Sequence, residues 1–141
     1  MVRELIHDPI FLSLVSEPAT ACDGSVAEDL LDTLIAHKDE CVGMAANMIG
    51  ERKRIIAFWD ESGKSPRYTV MFNPEIVAGK DSYETAEGCL SLPGGPRPCR
   101  RYRWIRVRYQ TAKMESRCQT FTGFTAQIVQ HEIDHEKGIL I

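Results

Sequence analysis

The spacing of apolar side chains predicts a long amphipathic helix in the first third of the chain. Within residues 25–39, apolar side chains recur at every third or fourth position and share one helical face: Val26, Leu30, Leu31, Leu34 and Ile35. Ser25 is a suitable N-cap residue, and Glu28, three positions later, would complete a capping box. The small residues at positions 41–50 then predict a loop.

The rest of the chain alternates between strand-like segments and turns. Segments rich in β-branched and aromatic residues predict strands at residues 54–60, 68–77, 104–110 and 116–123. Asn73-Pro74 breaks the second of these, and residues 91–98 contain too much proline and glycine for regular structure. A final helix is predicted over residues 125–136, with Gly138 as its C-cap glycine. Helices flanking antiparallel strands predict one α+β domain over residues 1–141.

Composition narrows the class of protein. A chain of 141 residues with 43% hydrophobic and 26% charged residues suits a single globular domain. The net charge is −3, and the basic stretch at residues 97–108 alternates arginine with apolar residues, so no direct nucleic-acid site is expected. No apolar run approaches the ~20 residues of a membrane span, and the first residues do not resemble a signal peptide. Five cysteines without paired spacing indicate reduced thiols and a cytoplasmic location.

The last predicted helix carries a pair of histidines. His131 and His135 are four residues apart, so they lie on the same helical face and both imidazoles can reach one metal ion. Glu132, beside the first histidine, can act near such an ion without ligating it. The helix therefore predicts a metal site, with antiparallel strands packed around it.

The third ligand has to come from upstream of these histidines. The segment from His131 follows the pattern H-E-x-x-H-x-x-G-x-x-H up to Gly138, but Ile141 stands at the final histidine position. The upstream candidates are the five cysteines, His7, His37 and many carboxylates. Cys89 differs from the other cysteines, because a glycine precedes it and a bend rich in proline and glycine follows, where the backbone can approach a site closely.

Two motifs resemble the signatures of the peptide deformylase family. EGCLS at residues 87–91 and QHEIDH at residues 130–135 are about forty residues apart and follow a G-x-A-A loop. The resemblance extends nearly end to end, including the HDPI sequence at residues 7–10. It implies that Cys89, together with both histidines of QHEIDH, holds one divalent transition metal. The ion implied in the cell is Fe(II), with zinc, nickel or cobalt possible in the isolated protein.

The resemblance also implies a reaction and its machinery. The reaction is hydrolysis of the N-formyl group from N-formylmethionyl peptides or nascent chains, with Glu132 as general base. In the family, the backbone N–H of the residue after the cysteine (here Leu90) and a glutamine amide stabilise the oxyanion. Met48 stands in place of that glutamine, and a thioether cannot donate a hydrogen bond. The amide of Asn47 is one position away and is expected to point elsewhere.

Further roles follow from the same resemblance. Glu87 and Asp134 are expected to orient the imidazoles or the loop, although Asp134 could equally face solvent. Glu40 and Arg101 are expected to form an ion pair that braces the first motif, the alternative being unpaired surface charges. The residues expected to contact the substrate are Val42, Gly43, Met44, Gly88, Phe124, Gln127 and Ile128. Gln127 would make the methionine pocket more polar, while core packing is the alternative for Phe124 and Ile128.

The first functional hypothesis is therefore a working metal-dependent deformylase. The alternatives are a deformylase-like binder or regulator without useful turnover, and a hydrolase of another small N-acyl substrate. Met48 and the short C-terminus favour these alternatives, whereas Glu132 favours an enzyme, because a protein that only binds has no need of a base. The partners expected are formylated peptides and nascent chains, with the ribosome as a possible partner and no membrane.

Overall fold

A five-stranded antiparallel sheet forms the centre of the fold in the computed structural model, which describes residues 1–141. The strands are ordered along the sheet as in the chain: β1 (Gly43–Ala45), β2 (Ile55–Asp60), β3 (Arg67–Cys89), β4 (Leu92–Gln110) and β5 (Ser116–Thr122). The helices are α1 (Pro9–Leu12), α2 (Gly24–Ala36) and α3 (Gly123–Glu136). None of these helices has the length and apolarity needed to cross a membrane. The predicted α+β fold, with strands around the C-terminal helix, is confirmed.

The second strand separates two apolar clusters. Successive side chains of a strand point to opposite faces, so Ile55 joins the cluster beneath α2 and Ile56 joins the cluster beneath α3. Both residues are fully buried, which explains why the sequence of β2 is apolar throughout instead of alternating. Leu30 and Leu34 of α2 complete the first cluster, and α3 contributes to the second. The sheet thereby fixes both long helices.

The start of α2 differs from the prediction. The helix begins at Gly24, and Ser25 and Glu28 form no capping box. The capping box lies one turn earlier, where the Thr20 backbone N–H donates to the Asp23 carboxylate at 2.8 Å. A short 3-10 turn leads from there directly into α2, so the cap belongs to the turn and the helix has none of its own.

Two segments predicted to be irregular contain regular structure. Residues 41–50 hold β1 and a 3-10 turn, Ala46–Ile49. Residues 92–98 begin β4, where Leu92, Arg97 and Pro98 pair with the end of β3 and the register shifts across residues 93–96, so the prediction for residues 91–98 is wrong only at the paired positions. The hairpin is short at its turn, with Leu92 opposite Cys89, and the prolines and glycines at residues 93–96 lie in the register shift that follows.

The break predicted at Asn73-Pro74 is a shift of register inside a continuous strand. The pairing of β3 with β4 slips between Phe72 and Glu75, and Asn73 has a left-handed φ of 52°. A bulge accommodates a proline, which has no N–H to give to the ladder. The strand continues after the bulge to Cys89, which places that cysteine at the far end of the sheet.

The C-terminal end of α3 is closed by Gly138, as predicted. Gly138 has a φ of 76°, and its N–H donates to the carbonyl of His135 at 3.1 Å. The N–H of Ile139 donates to the carbonyl of Asp134 at 3.0 Å. These two bonds form the Schellman motif, which satisfies carbonyls at a helix end. The chain then turns towards the segment after α1.

We expect Gly138→Ala to lower the free energy of unfolding by ~1–3 kcal/mol, because a non-glycine residue in left-handed backbone is strained. The added Cβ would also collide with the carbonyl oxygen of Ser13. Denaturant unfolding measures the change. Gly24→Ala is the matched control, since no atom lies within 4 Å of its added Cβ. Equal stabilities of the two variants would contradict this account of the helix end.

Candidate metal centre

Three potential metal ligands converge between the sheet and α3. Cys89 is the last residue of β3, and His131 and His135 lie one turn apart on α3. The sulfur and one nitrogen from each ring all lie within 4.8 Å of one another. Both imidazoles are buried, at 7% and 0% exposure. The structure therefore brings together the two predicted histidines and the cysteine, which is forty-two positions before His131 in the chain (131 − 89).

The donor set fits a transition-metal ion. The Nε2 atoms of His131 and His135 are 3.0 Å apart, and two buried ring nitrogens at this distance need a proton or a cation between them. His131 Nδ1 lies 2.7 Å from a Glu87 oxygen. A neutral His131 that donates from Nδ1 keeps its Nε2 lone pair for an ion. One thiolate and two imidazoles suit iron, cobalt, nickel or zinc.

Glu87 is the carboxylate that orients the first of these histidines. Burial alone would raise the pKa of Glu87, but hydrogen bonds from His131, Arg101 and Gln127 outweigh it and lower that pKa to about 2. An ionised carboxylate only accepts hydrogen bonds. Glu87 is therefore placed to accept from the His131 Nδ1–H.

Arg101 pairs with Glu87 and Asp134, and the predicted pair with Glu40 is wrong. The Arg101 guanidinium approaches each carboxylate to 2.7 Å and is 5% exposed. Arg101 lies on the inward face of β4 opposite β3, which directs it towards Glu87 instead of the first motif. Glu40 is exposed at the edge of the site. Asp134 contacts Arg101, and it is connected to His131 only through Arg101 and Glu87.

The Gln130 side chain anchors α3 to the sheet by hydrogen bonds, a role that the sequence patterns did not predict. Its side chain accepts from the Tyr102 N–H at 2.8 Å and donates to the Tyr102 carbonyl at 2.9 Å. These bonds reach β4 beyond the end of its pairing with β5, which stops at Trp104. The one available signal was its place as the first residue of the QHEIDH motif. These bonds fix the position of α3, and with it that of His131, relative to the sheet.

Glu132 is buried beside the ligands without ligating. Its side chain is 4% exposed, and its Oε1 atom has no hydrogen-bond partner in the chain. Burial raises the pKa of Glu132 to about 7, where a group can both accept and release a proton near neutral pH. A Cβ at Gly43 would lie 2.9 Å from Glu132 Oε2 and 2.7 Å from Ile128 Cγ2. Only glycine at position 43 lets β1 approach this carboxylate.

A cavity of about 510 Å³ opens onto the site. It is lined by Glu132 and by six of the seven predicted substrate contacts: Val42, Gly43, Gly88, Phe124, Gln127 and Ile128. Met44 does not line the cavity, so its prediction is wrong. It is fully buried in the cluster beneath α2, because adjacent residues of a strand point to opposite faces. Cys41 lines the cavity as well, and burial raises the pKa of its thiol to about 12.

The groups expected at the oxyanion position lie around the same cavity. Leu90 occupies the turn between β3 and β4, and its backbone N–H makes no hydrogen bond within the chain. Met48 lines the cavity from the 3-10 turn and is 2% exposed. The amide of Asn47 points away from the cavity and donates to the carbonyl of His135 at 2.9 Å. As expected, Asn47 does not supply the donor that Met48 lacks.

This fold and a Cys-His₂ centre beside a buried glutamate define a metal-dependent hydrolase. The sequence model of one family, polypeptide deformylase, matches residues 5–141. The chain belongs to the polypeptide deformylase family. Membership confirms the prediction of a peptide deformylase, a hydrolase that removes an N-formyl group, over the alternatives of a binder or a hydrolase of other N-acyl substrates.

Individual relatives agree with this assignment. A peptide deformylase of Clostridium beijerinckii is 46% identical over 141 residues and is matched over the full length of both chains. A peptide deformylase of Aquifex aeolicus is 35% identical, with 99% of this chain and 85% of that protein covered. The crystal structure of a class I type b peptide deformylase from Acinetobacter baumannii with Met-Ala-Ser bound is 29% identical, with a TM-score of 0.86 and coverage of 99% and 96%. The peptide deformylase of Thermus thermophilus is 33% identical, with a TM-score of 0.85 and coverage of 99% and 83%.

We expect Cys89→Ala to lose most of its bound transition metal, because two imidazoles alone hold an ion weakly. Elemental analysis of purified protein measures the metal content per chain. Cys22→Ala and Cys118→Ala are matched controls, since both cysteines are exposed and lie away from the cavity. Full metal content in the Cys89 variant would refute its assignment as a ligand.

Proposed function

We propose that Cys89, His131 and His135 bind one divalent transition metal and that this centre hydrolyses N-formylmethionyl peptides. The observation that supports the proposal is the convergence of the three ligands beside the partnerless Glu132 oxygen in one cavity. When bound, the ion polarises the formyl carbonyl and lowers the pKa of water. The bond broken joins the formyl carbon to the amino nitrogen, and the products are formate and a free amino terminus.

Glu132 carries the protons in this proposal. Its carboxylate takes a proton from the attacking water and later gives it to the departing amine. Burial raises the pKa of Glu132 to about 7, so both of its protonation states are accessible near neutral pH. The absence of a side chain at Gly43 leaves room for the carboxylate. Glu87 and Arg101 take no part in the proton transfer. They keep His131 in the orientation that the centre needs.

The cavity walls supply binding and one oxyanion donor. The Leu90 N–H is free to donate to the oxyanion, whereas the Met48 thioether cannot. Phe124, Gln127 and Ile128 form the wall proposed to hold the methionine side chain, and Val42, Gly43 and Gly88 line the cavity nearby. A neighbour of this fold has been crystallised with the peptide Met-Ala-Ser bound, which is consistent with a peptide in this position.

We further propose Fe(II) as the ion in the cell, because the family resemblance implies iron and a donor set of one thiolate and two imidazoles accepts it. Metal analysis of protein purified without oxygen measures this directly. Iron-loaded protein should lose activity in air faster than nickel- or cobalt-loaded protein, since Fe(II) reacts with oxygen and its ligand Cys89 can then be oxidised. Zinc as the main ion under these conditions would contradict the proposal.

We propose that the partners of this protein are nascent chains. It would encounter them in the cytoplasm, where the synthesis of formylated chains starts. An association with the ribosome would bring the enzyme to these substrates early. Cosedimentation with ribosomes that carry nascent chains measures it, and ribosomes without nascent chains are the control. A protein that remains in the supernatant in both cases would contradict the ribosomal association and leave the hydrolysis of free peptides to be judged by turnover.

Replacing the general base tests the function itself. We expect Glu132→Gln to retain the metal and to lower kcat on a formyl-Met peptide by ~10²–10⁴, the usual contribution of general acid–base catalysis. The wild-type protein, purified without oxygen and loaded with Fe(II), provides the reference rate. Formate release and metal content are measured on the same samples. Undiminished turnover in the variant would contradict the assignment of Glu132.

Restoring the missing donor should raise the rate. We expect Met48→Gln to increase kcat at least tenfold with little change in KM, because the new hydrogen bond forms in the transition state. Met48→Leu is the matched control, which keeps an apolar side chain and adds no donor. A kcat of Met48→Gln equal to that of the wild type, with metal retained, would show that another group already stabilises the oxyanion.

A further inference from the structure

Gln127 joins the substrate cavity to the carboxylate that holds His131. It lies on α3 one turn before that histidine and lines the cavity. Its Nε2 donates to Glu87 Oε2 at 2.8 Å, and its Oε1 accepts from the Tyr83 hydroxyl at 3.3 Å. Both ends of the amide are therefore engaged in hydrogen bonds within the protein.

We infer that Gln127 is a positioning residue for the metal centre, whose amide fixes the Glu87 carboxylate and, through it, the ring of His131. The inference rests on the proposed function, in which His131 is a ligand. Gln127 lines the proposed methionine pocket, but the hydrogen bonds of its amide serve the metal centre.

The geometry at Glu87 supports this role. Oε1 accepts from His131 Nδ1 at 2.7 Å and from Arg101 Nη2 at 2.7 Å. Oε2 accepts from Arg101 Nε at 3.0 Å and from Gln127 at 2.8 Å. Without Gln127, Oε2 would keep only the Arg101 donor, and the carboxylate could pivot about the guanidinium. Such a pivot would displace Oε1, the atom that orients the His131 ring.

Tyr83 holds the other end of the amide. A carboxylate needs a donor, so the Gln127 nitrogen has to face Glu87, and the phenolic O–H then meets the carbonyl end. Reversing the amide would place two acceptors together at Glu87. The Arg103 guanidinium lies over the Tyr83 ring, 4.4 Å from its centre, and braces the tyrosine from β4. A chain of contacts thus runs from the β3–β4 hairpin to His131.

These bonds use one N–H and one lone pair of the Gln127 amide, and this reduces the polarity that Gln127 gives to the pocket. With one N–H and one carbonyl lone pair already bonded within the protein, Gln127 has less of its amide to offer a ligand. The pocket wall formed by Phe124, Gln127 and Ile128 is then suited to an apolar methionine side chain. The pocket is therefore less polar than the glutamine alone would suggest.

The test replaces the amide and keeps the stem. Gln127→Met has a similar length and apolar stem but no donor. Gln119→Met is the matched control, since Gln119 accepts from the Tyr109 hydroxyl at 3.1 Å in an equivalent Tyr–Gln pair away from the cavity. Tyr83, which does not line the cavity, donates to the carbonyl end of the amide, and Tyr83→Phe removes this donor without a change in α3.

Two readouts report on the centre without turnover. The first is the rate at which zinc-loaded protein loses metal to a chelator. The second is the NMR signal of the His131 Nδ1–H in the same diamagnetic protein. Changes in groups that orient metal ligands typically alter affinity by ~10–100-fold, and Gln127 is one contact further out. We therefore expect metal loss to be about three- to tenfold faster in Gln127→Met.

The His131 signal should also shift or broaden in Gln127→Met. Tyr83→Phe should move both readouts in the same direction by less, and Gln119→Met should move neither. Wild-type values for Gln127→Met and Tyr83→Phe would overturn the inference, as would a rise in KM alone, which would make Gln127 a pocket residue. If the wild type binds zinc but does not hydrolyse formyl peptides, the proposed function fails and these two readouts still decide the role of Gln127.

Discussion

The buried Glu87 carboxylate is the interaction on which the site depends. It stands near the end of β3 and accepts hydrogen bonds from Arg101 on β4 and from His131 and Gln127 on α3. The Glu87 charge therefore connects β3 and β4 with α3. Burial opposes that charge, and its hydrogen bonds overcome the opposition and lower the pKa of Glu87 to about 2. Removing any one donor would leave a buried charge less well satisfied, an outcome more costly than the loss of an exposed bond.

Close packing sets the position of the Glu132 carboxylate relative to this anchor. β2 has an apolar cluster on each face, so α2 and α3 are held at fixed distances from the sheet. β1 runs against α3 with no room for a side chain at Gly43, and Glu132 is confined between them. A residue confined in this way cannot relax when its surroundings change. The apolar core therefore determines the environment that gives Glu132 its raised pKa.

Sequence patterns predicted the features that depend on local spacing. The i,i+4 histidines, most of the apolar face of α2 and the glycine at the end of α3 each follow from a few adjacent residues, although Ile35 of that predicted face is 42% exposed. The errors arose where distant segments decide the outcome. The chain shows no local preference of Arg101 for Glu87 over Glu40, because the choice depends on the register of β4 against β3. The pairing of Leu92, Arg97 and Pro98 likewise comes from the partner strand. Both faces of β1 are covered, so whether Met44 faces the cavity or the cluster beneath α2 depends on how the helices pack against the strand.

Met48 is compatible with membership of an enzyme family when the magnitudes are compared. Loss of one oxyanion donor reduces rates by ~10²–10³, whereas enzymes accelerate reactions by ~10⁶–10¹⁷. The remaining parts are present together: the three ligands converge, the Leu90 N–H is free, and Glu132 is buried beside them. With the roles proposed for these residues, a change at position 48 alters the rate and not the reaction. The Asn47 amide donates a hydrogen bond to the His135 carbonyl, and this bond fixes the 3-10 turn to the C-terminal end of α3. Because that bond keeps the turn in place, position 48 faces the cavity whichever side chain occupies it.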